Sequence, residues 1–140
     1  MSTVRVGLIV AMLAMAGCSM MQHKQAAAPH PGGEPRKLIL FFHPWSPALT
    51  PEAKVIVDHA AQIVKDTGPS TVTIAGYTDN DGSAKDNQKL AAARVKTVQD
   101  AMIADGIDPK LFLSIPLGPP EDTAGMTGDR RIEIRLTYGN

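Results

Sequence analysis

A chain of 140 residues, 44% hydrophobic and 20% charged, suits one small globular domain with short extensions. Aromatic residues make up only 4%, so Val, Ile, Leu and Ala must build the core. Basic and acidic residues balance at 14 each, and no Lys/Arg run offers a footprint for a phosphate backbone, which argues against nucleic acid as a partner.

Met1-Ser2-Thr3-Val4-Arg5 carries one positive charge, and Val6 to Ala16 follows as a mostly apolar run of signal-peptide length. The run falls short of the roughly 20 apolar residues that a spanning helix needs. It ends at Met15-Ala16-Gly17-Cys18, and Cys18 is the single cysteine, so no intramolecular disulfide can form. Small residues directly before a Cys resemble the bacterial lipobox, in which a diacylglyceryl thioether forms on the Cys and cleavage leaves it N-terminal. An ordinary secretory signal with an incidental Cys18 is the alternative. Residues 1–17 are thus expected to be removed as a signal peptide and Cys18 to be lipidated, the acyl chains anchoring the chain in a lipid bilayer. Removal takes Arg5 and leaves 13 basic against 14 acidic residues. Ser19, in place of an Asp after the Cys, implies by the same resemblance the outer membrane, with the domain facing the periplasm.

Residues 18–36 hold Pro29, Pro31, Gly32, Gly33 and Pro35 with no apolar period, so they read as a linker. Fully extended, such a segment reaches roughly 60 Å. His23 and His30 lie in it without further ligands at metal spacing, and read as solvated. The folded domain is expected to span residues 37–140.

Leu38-Ile39-Leu40-Phe41-Phe42 is continuously apolar and reads as a buried strand. His43-Pro44-Trp45-Ser46-Pro47 breaks it. Thr50 as N-cap, Pro51 at the first helical position and Glu52 in the first turn open a helix. Ala53, Ile56, Val57, Ala60, Ile63 and Val64 give that helix an apolar face, and Lys65 and Gly68-Pro69 close it. His59, beside the stripe, reads as structural. Thr71-Val72-Thr73-Ile74-Ala75-Gly76 alternates with the period of a strand buried on one face. Ser83-Ala84-Lys85-Asp86 matches a capping box, predicting a helix from Ala84 to Asp105, closed by Gly106. Leu90, Val95, Val98, Met102 and Ile103 are its expected inner residues. Leu111 to Leu117 and Arg131 to Tyr138 are further strands, separated by a Gly- and Pro-rich loop from Gly118 to Asp129. The order predicts an α/β two-layer sandwich of the α+β kind, with helices on one face of a four-stranded mixed sheet.

The second strand ends in Tyr77-Thr78-Asp79, and Asp79 stands in the turn that leads into the second helix. Asn87 and Arg94, seven residues apart, share a face of that helix about 10 Å apart along its axis, with Leu90 between them. The N–H groups of the helix start and the Arg94 fork favour a carboxylate, while Asp79 suits an ammonium. A ligand with an amino-acid head group satisfies these groups together. The alternative is an Asp79–Arg94 salt bridge that only pins the turn to the helix.

Gly76-Tyr77-Thr78-Asp79-x-x-Gly82, Asn87-x-x-Leu90-x-x-x-Arg94-x-x-x-Val98 and Arg130-Arg131-Ile132-Glu133-Ile134 resemble the OmpA C-terminal-like domain family, which includes the peptidoglycan-associated lipoproteins. Leu38 to Phe42 and Leu49-Thr50-Pro51-Glu52-Ala53 resemble its opening strand and first helix, so the likeness runs from Leu38 to Tyr138. It implies a β-α-β-α-β-β fold and noncovalent binding of peptidoglycan through the diaminopimelate of its stem peptide. By that resemblance Asp79 and Arg94 hold the amino and carboxylate ends of diaminopimelate, and Asn87, Leu90 and Thr78 shape the pocket. Four positions depart from the family pattern: Tyr77 for His, Ala91 for Ser, Val95 for Ala, and Asp129 for Asn. Asp129 adds an anion beside Arg130, which is read as either a pocket or a core residue.

No nucleophile elbow, phosphate loop or metal-spaced His/Cys cluster is present, so no catalysis, cofactor or metal is expected. Asp79-Asn80-Asp81-Gly82 is a poor Ca²⁺ loop, its glycine two positions early and its glutamate missing. The competing function is an envelope protein–protein interaction module on the same fold. Trp45, between Pro44 and Pro47, would then be an exposed anchor for another envelope protein, and otherwise a lid over the first helix.

Overall fold

The computed structural model describes residues 35–120 and 129–139. The expected signal peptide, Cys18, His23, His30 and almost all of the expected linker lie outside the described residues, as does most of the Gly118–Asp129 loop.

The elements run β1 (Arg36–Phe41), α1 (Pro51–Thr67), β2 (Thr71–Tyr77), α2 (Ala84–Ala104), a 3₁₀ turn (Pro109–Leu111), β3 (Phe112–Gly118) and β4 (Arg131–Thr137). They form the expected α+β arrangement of two helices and a four-stranded mixed sheet. Sheet order is β1-β4-β2-β3, with β2 and β3 parallel and β4 antiparallel to both β1 and β2. β4, the last strand in sequence, thus sits centrally, between β1 and β2.

Local chemistry explains the helix limits. Thr50 Oγ1 accepts from the Ala53 N–H at 3.1 Å, Pro51 starts α1 without needing a donor, and Gly68 ends it at φ 58. Ser83 Oγ accepts from the Asp86 N–H at 3.1 Å and donates to Asp86 Oδ2 at 2.7 Å, which fixes where α2 begins.

Ala53, Val57, Ala60, Ala61 and Val64 of α1, with Val95, Val98 and Met102 of α2, pack on Leu40, Val72, Ile74, Ile132, Ile134 and Leu136 of the sheet. Leu90 and Ile103, expected on the inner side of α2, are only half-buried. Residues such as Ala91, Val95 and Val98 take the centre of that face.

β1 also departs from its sequence pattern. It is an edge strand, and Leu40 is buried while Ile39 and Phe41 are 36% and 53% exposed. Helices cover one face of the sheet, so alternate residues of an apolar run must face away from them. The strand also begins one residue inside the expected linker, at Arg36, which pairs with Leu136.

Candidate ligand-binding site

β2 carries the site at its C-terminal end. Gly76 lies where a Cβ would stand 2.7 Å from Val95 Cγ2 and 3.0 Å from the Ala91 carbonyl, so only glycine lets α2 lie this close. The Thr78 N–H then donates to the Gly118 carbonyl at 3.0 Å, and the chain turns through Asp79 and Gly82 into α2. Thr78, Asp79, Asn87 and Arg94 are all buried around this turn.

Arg94 has no solvent exposure. Its Nε donates to the Ser46 carbonyl at 3.0 Å, Nη2 to the His43 carbonyl at 3.0 Å and Nη1 to the Tyr77 carbonyl at 3.4 Å. The guanidinium carbon also lies 5.1 Å from the Phe42 ring centroid. Three of the five N–H donors of an arginine are thus taken by backbone oxygens, and two remain. Burial lowers the guanidinium to about 10, with Asp79 opposing that shift and Arg130 adding to it, so Arg94 stays cationic at neutral pH. The β1–α1 loop is folded around this charge.

Asp79 takes a different partner from the one expected in the salt-bridge alternative. Arg130 Nη1 donates to Asp79 Oδ2 at 3.2 Å, and no ion pair joins Asp79 to Arg94 among the described residues. Arg130, left between pocket and core by the sequence, is a site residue by this contact. The sequence carries one usable signal for it: Arg130 and Arg131 are neighbours at a strand start, so they point to opposite faces. Asp129 lies on the other side, its carboxylate 3.4 Å from Arg131 Nη1.

Asn87 Nδ2 donates to the Asp81 carbonyl at 2.9 Å and ties the turn to the helix. Among the described residues, four buried side-chain polar atoms lack a hydrogen-bond partner, and three are Thr78 Oγ1, Asn87 Oδ1 and Arg130 Nε. Each belongs to this site. Buried polar atoms are nearly always paired with protein or water, so a cluster without protein partners marks this turn out from the rest of the described residues. Leu90, one turn on from Asn87, is half-buried.

The Tyr77 side chain plays no part in this group. It points to the face of the sheet without helices, where the Arg131 guanidinium carbon lies 4.0 Å from its ring centroid. Only its carbonyl reaches Arg94. The departure from His at Tyr77 therefore puts its ring on the opposite face of the sheet from this group, while Ala91 is fully buried under Gly76.

Trp45 is no lid on α1. The residue is 55% exposed, its φ is 55°, and the outer end of its six-membered ring abuts Gly82, where a Cβ would stand 2.6 Å from Cη2. A bulky residue in the left-handed region costs about 1–3 kcal/mol and persists where its surroundings over-determine it. Here the His43 and Ser46 carbonyls on either side are both held by Arg94. His59 is exposed on α1, and no group of three or more potential metal ligands occurs among the described residues.

Residues 41–130 match the OmpA family model, and the chain belongs to that family. It is 29% identical over 102 residues to the "Probable lipoprotein YiaD" of Escherichia coli K12, covering 69% of this chain and 47% of that one. It is 34% identical over 93 residues to the "Peptidoglycan-binding protein ArfA" of Mycobacterium tuberculosis H37Rv, covering 62% of this chain and 28% of that one. The chain thus spans half or less of the length of these relatives. The peptidoglycan-associated lipoprotein of Burkholderia pseudomallei shares the fold, with a TM-score of 0.61 at 22% identity, covering 69% of this chain and 86% of that one.

Proposed function

We propose that this chain is a noncatalytic cell-envelope domain that binds peptidoglycan noncovalently through the diaminopimelate of its stem peptide. One observation carries the reading: Thr78 Oγ1, Asn87 Oδ1 and Arg130 Nε are buried without protein partners in the same turn and helix that bury Asp79 and Arg94, or on the arginine paired with Asp79. In this role Asp79, with one oxygen on Arg130, receives the ligand's ammonium. Arg94 supplies positive charge and its two remaining N–H groups to a carboxylate. Arg130 adds a second cation, Thr78 and Asn87 supply hydrogen bonds, and Leu90 walls the pocket. The names of the relatives, a lipoprotein and a peptidoglycan-binding protein, support the same reading. Lipidation at Cys18 after removal of residues 1–17 would make the domain a tether between the outer membrane and the cell wall, with residues 18–36 as its leash. Binding of another envelope protein on the same fold is the competing function, favoured by the exposure of Trp45.

Sedimentation with purified peptidoglycan tests the proposal. The chain is expected to pellet with diaminopimelate-type cell wall and to be released by free diaminopimelate. Lysine-type wall, which lacks the distal carboxylate, should bind more weakly. Asp79→Asn keeps the shape of the side chain and removes its charge, and should weaken binding by about 2 kcal/mol or more. Equal pelleting of the parent and Asp79→Asn, or indifference to the wall's third residue, would sink the diaminopimelate reading.

A further inference from the structure

We propose that Trp45 is a stacking platform for a pyranose ring of the glycan strand, beside the pocket that takes the stem peptide; this rests on the peptidoglycan reading above. Trp45 is a large aromatic side chain left more than half exposed, yet its position is fixed. Its backbone sits at φ 55°, and the carbonyls of His43 and Ser46, two residues before and one after, bind the buried Arg94. Its ring meets Gly82 with the outer end of the benzo ring. Gly82 therefore takes an edge of the indole and leaves a face available. A side chain chosen for burial would not be held in this way.

The indole lies across the two loops that frame the pocket. The β1–α1 loop supplies Trp45 itself, and the β2–α2 loop supplies Gly82, between Asp79 and Asn87. An aromatic face carries partial negative charge, which suits the slightly positive C–H groups on the apolar face of a sugar ring. Trp also offers that surface with only two side-chain torsions to order. The ligand's own geometry fits. Diaminopimelate is the third residue of the stem, so two residues lie between it and the sugar, a reach of roughly 10 Å over three extended steps. With diaminopimelate held between Asp79 and Arg94, that reach suffices to bring the sugar to Trp45, whose flanking carbonyls Arg94 holds.

Trp45 is the chain's single tryptophan, so its fluorescence reports on this position alone. The experiment uses the full chain in detergent micelles, titrated with a disaccharide–tripeptide ending in diaminopimelate and with the same tripeptide lacking sugar. The disaccharide form is expected to shift the emission and shield Trp45 from acrylamide, and the bare tripeptide to bind with little change. Calorimetry on Trp45→Gly, which tolerates the positive φ, should show affinity for the disaccharide form reduced about tenfold. Its affinity for the bare tripeptide should stay unchanged, and Trp45→Phe should recover part of the loss. Equal weakening of both ligands would make Trp45 a support for the Arg94 loop and overturn the platform. Unchanged emission with both ligands bound would leave the indole to another partner, such as a protein, and also overturn it. If the parent binds neither ligand, the peptidoglycan reading itself fails, and the platform with it.

Discussion

Arg94 shows how one side chain can organise two separate stretches of chain. A buried guanidinium is costly to desolvate, and here three carbonyls and the face of Phe42 offset that cost. Two of those carbonyls, on His43 and Ser46, come from a loop 48 or more residues earlier. Arg94→Ala is therefore expected to do more than remove a ligand contact. It leaves three acceptors unpaired, and urea denaturation should show a loss on the order of 3 kcal/mol. Acrylamide quenching of Trp45 should rise in the same variant as the loop loosens. Arg94→Lys keeps the charge and cannot span the carbonyls with a planar fork, so most of the loss should remain. The spacing of Asn87 and Arg94 placed both on one side of α2, and both are buried. Neither the loop carbonyls nor the Arg130 partner of Asp79 was legible, because those contacts join residues far apart in sequence.

At the scale of elements, α2 lies close against β2 at the strand's C-terminal end. Gly76 permits it, with Val95 and the Ala91 carbonyl at the contact. Gly76→Ala is expected to cost about 1–3 kcal/mol in thermal denaturation through overpacking. In a Val95→Ala background part of that cost should vanish, since the nearest atom is a Val95 methyl. The Ala91 carbonyl remains, so the rescue should be incomplete, and full additivity of the two changes would argue against direct contact. Caps and periodicity exposed both helices in the sequence, because Thr50, Ser83, Gly68 and Gly106 act within a few residues of themselves. The 3₁₀ turn at Pro109–Leu111 escaped, although Asp108-Pro109 holds its signal: Asp108 Oδ1 accepts from the Lys110 N–H at 2.9 Å. β1 was misjudged as fully buried for another reason. Its apolar run says nothing about which neighbour covers each face.

At the largest scale, the described residues form a sheet with helices packed on one face and none on the other. On the open face Glu133, with a side chain only 6% exposed, is ringed by Arg131 at 3.0 Å, Arg135 at 2.6 Å and Lys37 at 3.9 Å. Burial alone would raise its carboxyl, but the hydrogen bonds from Arg135 and Arg131 and the charge of Lys37 outweigh that and hold it below its usual 4.5. A carboxylate with a folded value below the unfolded one stabilises fully above the unfolded pKa, and that contribution fades as pH falls through the folded value. Thermal unfolding followed from neutral pH down past 4.5 should thus show an acid loss of stability that Glu133→Gln flattens. Identical slopes would mean that other carboxylates govern the acid limb.

By itself the sequence determined the order of the strands and the two long helices, the caps of those helices, the family, and the shared face of Asn87 and Arg94 on the helix that follows Asp79. These rest on signals that act over one to seven residues, within reach of periodicity and motif spacing. Only the tertiary structure decided which partners they take. It brought Arg130 to Asp79 across 51 residues, wrapped the His43–Ser46 loop around Arg94, turned the Tyr77 ring to the far face and left Trp45 exposed against Gly82. Charge pairing and burial depend on distances that close only when the sheet assembles, and no local pattern encodes them.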